Sequence, residues 1–132
     1  MGLDNGIDVK INDKIPGYAF KCFYSEWRNK YKLDLQVAYW RKCWNVRNMI
    51  IETLNIKEVN DSRTTMSIDD VDKVIKMLKR INKKNWLDYG ECFWDWKDFK
   101  YNNNRNVKNL KLLRKFMKRN PKVFEVYFYD SY

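Results

Sequence analysis

Arg47 is the residue whose surroundings demand a chemical explanation. In a continuous helix over residues 33–54, it falls near the middle of an apolar arc shared with Trp40, Trp44 and Ile51. A guanidinium in such surroundings cannot stand alone, because an unpaired buried charge is very costly. Two readings follow. In one, Arg47 makes an internal ion pair with one of the 17 carboxylates of the chain. In the other, Arg47 lines a pocket for a phosphate or a nucleobase, with Gln36 on the same arc and Trp40 and Trp44 as stacking planes.

Lysine and arginine supply the second candidate chemistry. There are 27 of them against 17 Asp and Glu, a net charge of +10, enough to draw anions at moderate salt. They gather at helical spacing in two stretches. Lys73, Lys76, Lys79, Arg80, Lys83 and Lys84 fall on the outer face of one helix, and Lys108, Lys111, Arg114, Lys115, Lys118 and Arg119 on a later one. Lys79, Arg80, Lys83, Lys84 and the six of the later helix are the candidates for contact with nucleic acid or an acidic host protein, since such a row can track a phosphate backbone. The competing reading is a solvated helix face, in a chain whose Lys, Asn and Ile content also fits an AT-rich genome. Phe93, Trp94, Trp96, Phe99 and Tyr101, interleaved with Lys97 and Lys100, have the composition of a stacking surface for single strands, or simply of core aromatics.

Other chemistry is missing. The chain has no His, which removes the commonest general base, the commonest zinc ligand and every Ser-His or Cys-His dyad. Cys22, Cys43 and Cys92 are odd in number and form no Cys-x-x-Cys pair, so they read as reduced core residues. No glycine-rich phosphate loop or nucleophile elbow is present. Asp69 with Asp70, and Asp95 with Asp98, read as a helix cap and as loop charges. The expectation is a binding protein without catalysis, metal or cofactor, with a carboxylate-based enzyme as the remaining alternative.

The elements that position these residues follow from periodicity. Ile7, Val9 and Ile11 alternate with Asp8 and Lys10 as a short strand, closed by a turn at Pro16 and Gly17. Residues 18–31 are aromatic and basic without clear period, with a short helix around 25–30. Residues 33–54 read as one long, largely buried helix. Ser67 caps a second helix with Ile68, Val71, Val74, Ile75, Leu78 and Ile81 inward. Residues 92–96 read as a strand and Asn102 to Arg105 as a polar loop. Asn106 then caps a third helix with Val107, Leu110, Leu113, Phe116 and Met117 inward, and residues 123–129 form a last strand. This order predicts a single α+β domain over residues 1–132, about three strands backed by three helices in one layer pair. An aromatic content of 17% and an apolar content of 45% rule out a disordered chain. No apolar run is long enough for a membrane span, and the acidic N-terminal stretch does not suit a secretory signal, so a cytoplasmic protein is expected.

Three blocks carry a resemblance. Met1, Gly2, Leu3 and Asp4 at the start, the run from Val37 through Tyr39, Trp40, Arg41 and Lys42, and the closing aromatic run from Phe124 to Tyr132 resemble a family of small bacteriophage and prophage proteins. Its members open Met-Gly-Leu-Asp, carry a Tyr-Trp-Arg-Lys helix and finish on an aromatic strand. The chain departs from them at Asn5 and Gly6, where Met-Tyr is common, and at Arg47, where relatives place His. The resemblance implies a phage accessory protein acting in the host bacterial cytoplasm, and by association an antagonist of host defence. The corresponding activity is sequestration of an anionic nucleotide near Arg47, or inhibition of a host nuclease complex through the basic helices.

Overall fold

A computed structural model of the chain describes residues 4–11, 34–57, 63–119 and 124–131. The alternation at the N-terminus is realised in strand β1 (Asp4–Ile11), where Ile7 and Val9 are fully buried while Lys10 is exposed. β1 is flanked on both sides. It pairs antiparallel with β2 (Asp34–Arg41) and with β4 (Phe124–Ser131), so that Ile7 lies between Ala38 and Phe128, and Val9 opposite Val126. A short β3 (Arg63–Thr65) joins β4 and completes an antiparallel sheet in the order β2-β1-β4-β3. Gly6 sits where backbones crowd, since a Cβ there would lie 2.6 Å from the Ala38 carbonyl oxygen.

The long helix expected over residues 33–54 is two elements. Residues 34–41 form β2, the chain turns at Lys42 with a positive φ of 49°, and helix α1 (Trp44–Leu54) begins after Cys43. The physical reason is the run Val37, Ala38, Tyr39 and Trp40, which can serve a buried strand as well as a helix. β1, apolar on its core face, needs a partner on each side, and long-range pairing decides the matter. No Gly or Pro marks the break.

Helix α2 (Ile68–Lys79) forms as its sequence dictates. Ser67 Oγ accepts from the Asp70 N–H at 3.1 Å while the Asp70 carboxylate accepts from the Ser67 N–H at 3.0 Å, a reciprocal cap, and Val71, Val74, Ile75 and Leu78 are buried. Helix α3 (Trp96–Arg119) is longer than expected. It starts at Asp95, whose carboxylate accepts from the Asp98 N–H at 2.8 Å. Asn106 is therefore buried in mid-helix and caps nothing, and the proposed loop at 102–105 is helical. Residues 92–96 make no strand; Cys92 forms a single bridge to Cys43.

The length of α3 explains how the layers are joined. Asn103, Asn106 and Asn109 recur every three residues along one buried face of the helix. Asn106 Oδ1 accepts from the Tyr39 N–H at 3.4 Å and its Nδ2 donates to the Tyr39 carbonyl at 2.9 Å; Asn109 Nδ2 donates to the Val37 carbonyl at 3.2 Å. β2 is an edge strand, and these amides satisfy backbone groups that would otherwise be left unpaired against a helix. Asn103 Nδ2 reaches the Leu78 carbonyl at the end of α2, 3.3 Å away. One polar stripe thus ties α3 to the sheet edge and to α2.

The architecture is α+β, with four antiparallel strands where about three were expected, and three helices, among the described residues. Ile7, Val9, Trp40, Val126 and Phe128 from the sheet join Val46, Ile50, Val74, Leu78, Phe99, Leu110 and Leu113 from the helices in one apolar cluster. No described helix is long and apolar enough to cross a membrane. The turn at Pro16 and Gly17, the short helix around 25–30 and Cys22 lie outside the described residues.

Candidate anion-binding surface

Arg47 lies on α1, 7% exposed, with its Nε donating to the Asp130 carboxylate at 2.8 Å and its Nη1 to Asn48 Oδ1 at 3.1 Å. Asp130 is itself 3% exposed, near the end of β4. This is the internal ion pair, reinforced by the Trp44 ring, whose centre lies 5.1 Å from the guanidinium carbon. Trp40 points into the core from β2 and is fully buried, with no acceptor for its indole N–H among the described residues, so it offers no face to a ligand. Gln36 donates to the Tyr129 hydroxyl at 2.8 Å. The two clefts described next are lined by none of Gln36, Trp40, Trp44 and Arg47.

Both clefts flank α2. One, of about 480 Å³, lies between α1, α2 and the segment that follows α2, and is lined by Lys73, Lys76 and Arg80 together with Met49, Met77, Ile81 and Tyr89. Glu52 and Asp88 also line it. The other, of about 460 Å³, lies between α2 and α3 and gathers Lys79, Lys108 and Lys111 beside Asn103 and Asn104. Packing creates the second cleft directly: α3 leans on α2 through Leu78 and Val107, and the Lys residues one position on from these two rim the gap.

The charges differ in availability. Asp72 on α2 accepts from Lys76 at 2.9 Å and from Arg114, and these two contacts, Lys76 first, hold its carboxyl below its ordinary value. Lys76 and Arg114 therefore already face a carboxylate. Lys79, Lys108 and Lys111 are exposed and meet no carboxylate in an ion pair among the described residues. Lys83, Lys84, Lys115, Lys118 and Arg119 are exposed as well, but line neither cleft. The aromatic run is mostly core: Phe99 is fully buried against Trp86 and Trp96 at ring separations of 5.3 and 6.2 Å, and of the run only Phe93 and Tyr101 stand exposed.

No family model, curated protein or solved structure matches the chain. The surface therefore rests on its own geometry. Reading the sequence found Lys79, Arg80, Lys108 and Lys111 from helical spacing alone, because amphipathicity places them outward whatever the partner helix is. It missed Asn103 and Asn104, assigned to a loop, and Tyr89 with Asn85, which reach the first cleft only through the way the segment after α2 folds back on α1. That return is held by Asn45 Nδ2 on the Trp86 carbonyl and Asn48 Nδ2 on the Tyr89 carbonyl, both at 2.7 Å. The chemical capacity of the arrangement is recognition of anions, with cations from two helices converging on one gap and amides beside them.

Proposed function

We propose that the protein binds nucleic acid along α2, with the phosphate backbone lying in the cleft between α2 and α3. The observation that carries this reading is the convergence of Lys79, Lys108 and Lys111 on that cleft from two different helices. Lysines spread over a flat face contribute individually; lysines converging on a groove fix where the backbone runs. Lys83, Lys84, Lys115, Lys118 and Arg119 then extend the positive field without contacting the groove. Binding needs no turnover, and no catalytic step is assigned. In the setting that the resemblance implies, such a phage protein would act on a host nuclease complex by competing for its nucleic acid.

The charge-reversal variant Lys79→Glu/Lys108→Glu/Lys111→Glu tests this. It is expected to lose retardation of DNA and RNA in gels while keeping the wild-type circular dichroism spectrum. Equal retardation by wild type and variant would refute the placement.

The first cleft favours a second reading. Its volume of about 480 Å³ suits a small ligand, and it combines three cations with an exposed Tyr89 ring and the apolar Met49 and Ile81. A nucleotide would place phosphates on Lys73 and Arg80 and its base on Tyr89. Under this reading a nucleotide raises the melting temperature, Tyr89→Ala abolishes the rise, and the triple reversal at the other cleft leaves it intact.

A further inference from the structure

Cys43 closes β2 and precedes α1, and Cys92 lies just before α3. The two pair as an isolated antiparallel bridge between segments far apart in sequence. The flanking backbone makes the hydrogen bonds, Phe93 N–H to the Lys42 carbonyl at 3.1 Å and Asn45 N–H to the Glu91 carbonyl at 3.2 Å, so the cysteines face each other as a non-hydrogen-bonded pair. In that arrangement the Cα atoms approach most closely and the side chains lie nearest, inside the range a disulfide needs. The Cys43 thiol donates to the Arg41 carbonyl at 3.2 Å. Both cysteines are reduced in the structure, Cys43 buried and Cys92 half-buried.

From this geometry we infer that Cys43 and Cys92 form a site of reversible oxidation, closing an intramolecular disulfide when they meet a peroxide or a low-molecular-weight disulfide. Cys92 is the reacting group, because it is the more accessible. The neighbouring Cys43 shifts Cys92 towards its thiolate, whereas Cys92 and burial push the Cys43 thiol up. Arg41 and Lys42 add positive charge nearby, standing 4.6 and 5.5 Å from the ring centre of Phe93, the residue after Cys92.

With a peroxide, the Cys92 sulfur attacks one oxygen and the O–O bond breaks, giving a sulfenic acid and releasing the other oxygen as water. The Cys43 sulfur then attacks the Cys92 sulfur, the S–O bond breaks, a second water leaves, and two thiol protons have been consumed. With a small disulfide, two successive exchanges release two small thiols. In both routes the cysteines lose two electrons and the reagent gains them. The bond would fasten the start of α1 to the segment after α2, which supplies Asn85, Asp88 and Tyr89 to the first cleft.

The test uses the full chain, reduced and then treated with hydrogen peroxide or oxidised glutathione. Intact mass is expected to fall by about 2 Da, with the loss reversed by dithiothreitol. Peptide mapping should place the bond between Cys43 and Cys92. Cys22→Ser should keep the mass loss and Cys92→Ser abolish it, and the oxidised wild type should melt several degrees higher, because the bond closes the loop from 43 to 92. Should Cys92→Ser not fold, mapping in the Cys22→Ser variant decides alone. Two freely alkylated thiols after oxidation, or a crosslink that maps to Cys22, would overturn the inference.

Discussion

Arg47 and Asp130 are 83 positions apart, and their pairing shows how a single charge can be placed by the fold while its partner is hidden from the sequence. Near-complete burial of both makes the pair costly to break, about 3–5 kcal/mol for removing one partner of a buried ion pair. Asp130→Ala is therefore expected to lower the unfolding free energy by that amount in urea, and the double change Arg47→Met/Asp130→Leu to recover most of it. A double variant no more stable than the single would mean that the pair contributes beyond mutual neutralisation. Tyr39 and Tyr129 make a pH-dependent contribution. Burial, followed by the charge of Asp4, pushes Tyr39 up to about 12; burial, with the charge of Asp8 next, raises Tyr129. A raised folded value means that the proton is held more tightly in the native state. The stability this supplies is complete below the ordinary tyrosine value of about 10 and is lost as pH climbs from there towards 12 and beyond. Tyr129→Phe should flatten the alkaline fall in stability measured by urea unfolding between those limits; an unchanged slope would remove Tyr129 from the account.

At the scale of elements, periodicity was a reliable guide where one local signal sufficed. α2 could be read from Ser67, Asp70 and the spacing of Val71, Val74, Ile75 and Leu78, and β1 and β4 from alternation. It misled where two structures suit the same residues: residues 34–41 would make an acceptable buried helix, and only the need of β1 for a second partner makes them a strand. β3, three residues long, carries too little pattern to be seen. Asn103 and Asn106 were the costliest misreading, because asparagine in isolation signals turns and caps, whereas here each amide is spent on a backbone group of another element. Asn106→Ala tests that role. It would leave both the N–H and the carbonyl of Tyr39 unpaired beside α3, an expected loss of about 2–4 kcal/mol. Faster hydrogen exchange at the Tyr39 amide should accompany it. A loss below about 1 kcal/mol would show that the edge of β2 finds other partners.

For the molecule as a whole, the excess of positive charge is arranged and not merely abundant. The later part of α2, with Lys73, Lys76 and Lys79, lies between two clefts. Helical spacing gave the six cations that line the two clefts, Lys73, Lys76 and Arg80 in one and Lys79, Lys108 and Lys111 in the other. The convergence of two helices on one groove required tertiary structure, and so did the discovery that Arg47 is engaged with Asp130. The central claim is that this surface holds a polyanion by displacing its counterions. The most direct measurement is the affinity for a fluorescently labelled oligonucleotide, followed by anisotropy across a salt series from about 50 to 200 mM. The account predicts a linear fall of log affinity with log salt, and a shallower slope for Lys79→Glu/Lys108→Glu/Lys111→Glu, reflecting the lost phosphate contacts. No binding at the lowest salt, or a slope that the three substitutions leave unchanged, would contradict it.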